Sequence, residues 1–312
     1  MKAADEGIEG VVRIITDDGD AQYRLDLFLS EAYPDRSRSF FQKLIKSGDV
    51  TVNGKQEKPS YLLGADEEIE IHFPEPEKLE ILPEDIPLEI VYEDEDVILV
   101  NKPKGMVVHP APGHFSGTLV NALLYHCSDL SGINGMLRPG IVHRIDRDTT
   151  GIVIACKNDA AHLKLSSQLS AHTVSRRYRA IVTGNLTKDE GTIEGAIGRD
   201  RKDRKKMALD PVNGKPAVTH YTVLERFGSY TLVECRLETG RTHQIRVHMT
   251  SIGHPLLGDT VYGSGKSPFR TEGQCLHAYL FGFVHPRSGE YMEFTVPDPP
   301  YFEKILNSLR KY

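Results

Sequence analysis

A dense polar loop feeding an apolar strand constrains this chain more than any other feature. The stretch Pro139-Gly140-Ile141-Val142-His143-Arg144-Ile145-Asp146-Arg147-Asp148-Thr149-Thr150-Gly151 runs straight into Ile152-Val153-Ile154-Ala155-Cys156. The second part is a continuous apolar run of strand length, which predicts a buried strand. Pro139-Gly140 and Gly151 punctuate the first part, which predicts an ordered loop. From His143 to Gly151 the loop carries two carboxylates, two arginines, a histidine and two threonines. Such a loop, anchored on a buried strand, can hold a reactive group rigidly. The residues alone leave two other readings open. Arg144, Arg147, Asp146 and Asp148 can form a structural salt-bridge knot. His143, Asp146 and Asp148 can ligate a metal, although the arginines would repel a cation and already neutralise the carboxylates.

At 312 residues the soft expectation is two domains. No run of about 18 apolar residues is present, so no membrane span is expected. The N-terminus, Met1-Lys2-Ala3-Ala4-Asp5-Glu6, is acidic and lacks an apolar core segment, so no signal peptide is expected either. Cys127, Cys156, Cys235 and Cys275 lie 29, 79 and 40 residues apart without CxxC spacing, which predicts reduced thiols in a cytoplasmic protein. The net charge of -6 speaks weakly against nucleic acid, but its distribution matters more. Ten acids and one base fall between Glu75 and Asp96, and the rest of the chain sums to +3. Basic patches elsewhere therefore remain available for phosphate.

Taken in order, a compact unit is expected over residues 22–74. Leu25, Phe28 and Leu29 have helical spacing, and Phe40, Phe41, Leu44 and Ile45 stripe a second helix capped by Ser37 or Ser39 and ended by Gly48. Val50 and Val52 alternate into Asn53-Gly54, a hairpin signal. Residues 75–88, proline-rich and acidic, are expected to be a semi-rigid linker. The second domain, 89–312, opens with the strand Val97–Val100. Helices are predicted from Thr118 to His126, with Leu119 and Leu123 inward, and from Asp159 to Leu169, with Leu163, Leu165 and Leu169 apolar. Tyr178, Ala180 and Val182 share one face of a strand over 175–182. Alternation over 230–238 predicts a half-exposed strand. It leads to Thr242, expected to cap a helix whose stripe is Ile245, Met249 and Ile252, with His243, Arg246 and Thr250 on the opposite side. The basic turn at 200–206 is a local candidate for a phosphate contact, and a last helix begins near Pro299.

His143-Arg144-Ile145-Asp146-Arg147-Asp148-Thr149-Thr150-Gly151 closely resembles the H-R-L-D-x-x-T-S/T-G signature of the RluA/RluD family of RNA pseudouridine synthases, with Ile145 in place of leucine. Asn101-Lys102-Pro103-Lys104-Gly105, Arg176-Arg177-Tyr178-Arg179-Ala180 and Thr239-Gly240-Arg241-Thr242-His243-Gln244-Ile245-Arg246 are similar to further blocks of that family, in the family's order. Arg24-Leu25-Asp26, Ser37-Arg38-Ser39 and Ile45-Lys46-Ser47-Gly48 resemble an S4-type RNA-binding domain.

The resemblance implies an α+β protein: a small N-terminal S4-like domain, then a catalytic domain with a mixed, mainly antiparallel sheet and flanking helices. It implies an isomerase that needs no cofactor and no metal. Its partner would be RNA, most like large-subunit ribosomal RNA or a ribosomal subunit precursor, with tRNA the alternative; nothing suggests an obligate dimer, and a monomer is expected. It assigns the reacting carboxylate to Asp146; Arg246 is the expected ion-pair partner, with Arg241 the alternative, and Tyr178 the expected uracil-stacking ring. Arg144 is suited to fill the gap left by the flipped base. His143 and Arg241, with Arg36, Arg38, Lys43 and Lys46 of the N-terminal helix, are the expected RNA contacts. Asp148 is expected to be structural. A non-catalytic RNA-binding assembly factor and a hydrolytic glycosidase are the competing classes; an intact Asp146, Tyr178 and Arg246 weighs against the first, and the lack of a second recognisable acid against the other.

Overall fold

In the computed structural model the chain divides into two compact units, Met1–Lys78 and Leu79–Tyr312. The structure describes all residues except 1–4, 8–10, 35, 74–80, 111–113, 134, 136–137, 204–205, 265–266 and 312.

In the first unit, helices Leu25–Ala32 and Arg38–Ser47 cover a five-stranded sheet. Ser37, not Ser39, caps the second helix, accepting from the Phe40 N–H at 3.2 Å. Gly48 closes it in the left-handed region, φ 90°. Leu25, Leu29, Phe41, Leu44 and Ile45 pack on Val50, Val52, Ile69 and Ile71 as one core. Asn53 and Gly54 both have positive φ, as the two-residue hairpin turn requires. The unit reaches ahead of residue 22: Val11–Ile15 pairs antiparallel with Glu68–His72. That pairing spans more than fifty residues, so no local pattern announces it.

In the second unit, one sheet carries the fold. Its strands lie in the order Glu190–Glu194, Val218–Arg226, Tyr230–Leu237, Ser175–Thr183, Leu276–Val284, Thr150–Cys156, Val97–Lys102, Ile90–Glu93, with Tyr291–Thr295 also paired to Leu276–Val284. All pairings are antiparallel except Leu276–Val284 with Thr150–Cys156, which is parallel. The apolar runs explain themselves here. Ile98, Val100, Val153 and Ala155 face one core, shared with Leu119 and Leu123 of helix Leu119–His126. Val97, Leu99, Ile152 and Ile154 face the opposite core, shared with Ala161 and Leu165 of helix Asp159–Ser170. A strand covered on both faces has no polar alternation. Leu163 of that helix, expected among its apolar positions, is 62% exposed.

Residues 81–88, assigned above to the linker, belong to this unit. Asn121 Nδ2 donates to the Leu82 carbonyl at 2.8 Å, and the Glu84 carboxylate accepts from the Gly117 N–H at 3.1 Å. Ile81 and Leu88 also pack against the core. Residues 75–80 of that segment lie outside the described residues. The closing helix, Pro300–Leu309, buries Phe302, Ile305 and Leu306 against Ile181, Leu232 and Leu257. No helix is long and apolar enough to cross a membrane among the described residues.

Candidate active site

The polar loop is framed by two glycines at points where backbone meets backbone. A Cβ on Gly140 would stand 2.6 Å from the Cys156 carbonyl oxygen, and one on Gly151 would stand 2.1 Å from that of Ala278. Both have positive φ, so no side chain fits in space or in conformation. Lys102, 1% exposed, reaches beneath the loop and donates to the carbonyls of Pro103, Met106 and Arg147 at 2.8, 2.8 and 3.0 Å. Gln274 Nε2 donates to Thr149 Oγ1 at 3.1 Å. The loop is thus held at both ends and from below.

Asp146 stands on this loop, its side chain 16% exposed. Arg246 Nη1 donates to Asp146 Oδ2 at 3.0 Å. The rest of the guanidinium grips Asp259: Nε to Oδ2 at 2.7 Å and Nη2 to Oδ1 at 3.0 Å. Asp259 is itself fixed by the N–H groups of Val261 and Tyr262 at 2.9 and 3.1 Å. The Tyr262 ring lies under the guanidinium, 5.0 Å from centroid to carbon. Burial opposes the charge on Arg246, but its bonds to Asp259 and the nearby Asp146 hold the guanidinium above its ordinary pKa. Burial likewise pushes Asp259 up, and Arg246 with the two backbone N–H groups brings it below the ordinary carboxylate value. The result is a fixed fork with Asp259 behind it and Asp146 in front.

The helix that presents Arg246, Gln244–Ser251, does not start as expected. His243, not Thr242, occupies the N-cap, in the left-handed region at φ 57° and without a side-chain cap bond. The buried Gln244 side chain does the ordering: its Oε1 accepts from the Arg241 N–H at 2.9 Å and Thr239 Oγ1 at 2.8 Å, and its Nε2 donates to the Val218 carbonyl at 2.9 Å. Ile252, expected on the apolar stripe, is 38% exposed. The unusual N-cap aims the His243 ring. Its Nδ1 meets Tyr262 Oη at 2.7 Å, and its Nε2 lies 3.9 Å from Asp146 Oδ1.

These groups face an open cleft lined by Arg144, Asp146, Arg176, Tyr178, Arg241 and Arg246, with Leu237 and Ile245 as apolar wall. Tyr178 is 7% exposed, and burial holds its phenol above the ordinary pKa, so it is protonated at neutral pH. Arg144 is exposed, and its Nη1 lies 3.5 Å from His109 Nε2. Arg241, which also lines the cleft, donates from Nε to the Pro216 carbonyl at 3.0 Å.

Other expected site residues stand elsewhere. His143 does not line the cleft. It accepts from the Ile154 N–H at 3.1 Å and stacks on Phe281 at 5.0 Å, and burial lowers its pKa to about 3, so it is a neutral strut. Asp148 pairs with Arg147 at 3.0 Å. Arg38 is bound to the buried Asp26 at 2.9 Å, and Arg36 lies over the Phe40 ring, while Lys43 and Lys46 are exposed. In the basic turn at 200–206, residues 204 and 205 lie outside the described residues, and Asp200 accepts from the N–H groups of Lys202 and Asp203. Two groups, Glu93-His126-Cys127 and Asp94-Asp96-His285, bring metal-type donors within 4.8 Å. Glu93 and Asp96 already pair with Lys157 and Arg287, and neither group shares a residue with the cleft. All four cysteines are free and buried. Sequence reasoning missed Asp259, His243 and Tyr262. Asp259 ends the stretch Gly253-His254-Pro255-Leu256-Leu257-Gly258-Asp259, which resembles a later block of the RluA/RluD family, and that was the signal for it.

The family model described as RNA pseudouridylate synthase matches residues 96–251, and that of the S4 domain matches residues 24–69. The chain is 54% identical over 288 residues to an uncharacterized RNA pseudouridine synthase of Bacillus subtilis, covering 92% of this chain and 94% of that one. It is 45% identical to the ribosomal large subunit pseudouridine synthase D of Zymomonas mobilis, with 92% and 94% covered. Among solved structures, human RNA pseudouridylate synthase domain containing 1 superposes with a TM-score of 0.55 at 28% identity, covering 77% of this chain and 98% of that one. The matched blocks hold Asp146, Tyr178 and Arg246, and the chain belongs to the RNA pseudouridine synthase family, behind an N-terminal S4 domain.

Proposed function

We propose that this enzyme isomerises uridines of large-subunit ribosomal RNA, with Asp146 as the carboxylate that reacts at the flipped-out nucleotide. The observation that carries the reading is the Asp259–Arg246–Asp146 chain at one side of a cleft walled by Tyr178. A reacting carboxylate must be aimed, and Arg246, locked by Asp259, holds Asp146 in place. The target base leaves its stack to reach Asp146. Tyr178 is suited to stack on the uracil and to assist removal of the carbon proton at the end. Arg144, exposed at the rim and without an ion pair among the described residues, is suited to the space the base leaves, and Arg241 to a phosphate. Ribosomal RNA as substrate is supported by the relatives named for it and by an S4 domain, whose exposed Lys43 and Lys46 suit phosphates of a folded RNA. Such a substrate places the work in the cytoplasm.

The test is tritium release from RNA labelled at uracil carbon 5, comparing protein-free large-subunit ribosomal RNA with bulk tRNA. Fast release from the ribosomal RNA alone is expected. Release confined to tRNA would overturn the substrate, and tight binding without release from either would count against an active site as drawn.

A further inference from the structure

We propose that Arg176 touches the departing uracil, its guanidinium taking the uracil oxygen on which negative charge collects as the glycosidic bond breaks. This rests on the functional reading above and adds a contact to it.

The strand Ser175–Thr183 carries three arginines, and two of them have acids. Arg177 pairs with Glu234 at 3.1 Å and Arg179 with Asp298 at 2.8 Å. Both point away from the cleft, on the face opposite Tyr178. Arg176 shares the face of Tyr178, two residues along, and lines the same cleft. It is 7% exposed, yet it has no carboxylate partner among the described residues. Its Nη2 donates to the Glu238 carbonyl at 3.0 Å, and its Nε is buried with no partner among the described residues. Gly240 leaves the room for it: a Cβ there would stand 2.5 Å from Arg176 Nη1. Arg241, the neighbouring charge, is also a cation and gives no compensation.

A buried charge without a counter-ion is costly and is seldom kept for stability. Here the missing anion belongs to the reaction. When the C1′–N1 bond breaks, its electron pair leaves with the uracil and spreads over N1, O2 and O4. The sugar is balanced by a bond from the Asp146 carboxylate to C1′ or by loss of the C2′ proton. C5 then bonds to C1′ as the Asp146–C1′ bond breaks or as C2′ regains its proton, and the C5 proton is lost while N1 gains one, which leaves the product neutral. The anion is therefore transient, and a guanidinium already desolvated and fixed stabilises it without reorganising. Phosphates stay outside on the backbone, within reach of the exposed Arg144; a group sunk beside Tyr178 meets the base.

The experiment compares wild type, Arg176→Gln and Arg176→Lys by single-turnover tritium release at saturating enzyme, RNA affinity and calorimetric Tm. For Arg176→Gln the expected results are a rate about 10²–10³-fold lower, as for loss of one anion-stabilising donor, an unchanged dissociation constant, and a Tm equal to or above wild type. Arg176→Lys should recover at least about tenfold of the rate, since it restores the charge. A normal rate with weakened binding would make Arg176 a phosphate contact and overturn the proposal. Equal rate losses in both variants with a fallen Tm would make it structural and overturn it too. If the wild type itself releases no tritium, the functional reading fails first, and the inference with it.

Discussion

Replacing Asp259 by asparagine removes the support of the site without touching the cleft. The Asp259 side chain is fully buried and Arg246 is 6% exposed, so the pair is out of water. In Asp259→Asn one oxygen can still accept from the Val261 and Tyr262 N–H groups, but the amide nitrogen turns a donor toward a guanidinium donor. Breaking a buried pair by changing one partner costs about 3–5 kcal/mol. Arg246 keeps its bond to Asp146, which places the cost near the lower end, about 3 kcal/mol. For a unit the size of Leu79–Tyr312, that lowers Tm by about 6–12 °C, at about 2–4 °C per kcal/mol. With the fork loosened, Asp146 loses its aim, and a misplacement of about 1 Å costs about 10²-fold in rate. Calorimetry and tritium release on the same preparation check both numbers. A Tm within about 2 °C of wild type, or an undiminished rate, would refute the claim that Asp259 orients Arg246 and through it Asp146.

Lys102→Met takes the Lys102 donor from the carbonyls of Pro103 and Met106, while the Arg147 carbonyl keeps the Gly105 N–H at 3.0 Å, and should cost about 2–3 kcal/mol in denaturant unfolding. In the first unit, burial pushes the Asp26 carboxyl up, but bonds from Arg24, Gln42 and Arg38 bring it down to about 2. Because that pKa is lowered, its stabilisation is full above the ordinary value of 3.8 and fades as pH falls toward about 2. With Arg24 and Arg38 partly exposed, the size is about 1–2 kcal/mol, and Asp26→Asn should flatten that acid limb in a pH series of unfolding curves. The double variant Lys43→Ala/Lys46→Ala should weaken RNA binding and lower the slope of log affinity against log salt by about 1–2, whereas Arg38→Ala should act on stability, since that arginine is bound to Asp26.

What could be read from the chain followed physical range. Helices marked by local caps and strands marked by apolar runs, such as Arg38–Ser47 and Thr150–Cys156, stand where spacing placed them. The α+β class and the presence of Asp146, Tyr178 and Arg246 came from matched words, and the structure brings all three to one cleft. The failures were long-range or conformational. Val11–Ile15 pairs with a strand more than fifty residues on. Thr242 looked like a cap because threonine often is one, but Gln244 ties the turn instead, and His243 takes a left-handed conformation that composition does not encode. His143 looked like an RNA contact because it neighbours Arg144, yet it supports Ile154 from behind. Asp259 stood in a matched block but was given no role, because a carboxylate's partner is set by the fold.

The most direct test of the central claim is the rate of tritium release by Asp146→Asn on the RNA the wild type prefers, with affinity and Tm measured alongside. Asparagine keeps the shape and one acceptor for Arg246, so binding and folding should persist while release falls to background. Release by Asp146→Asn at a rate close to wild type would contradict Asp146 as the reacting carboxylate.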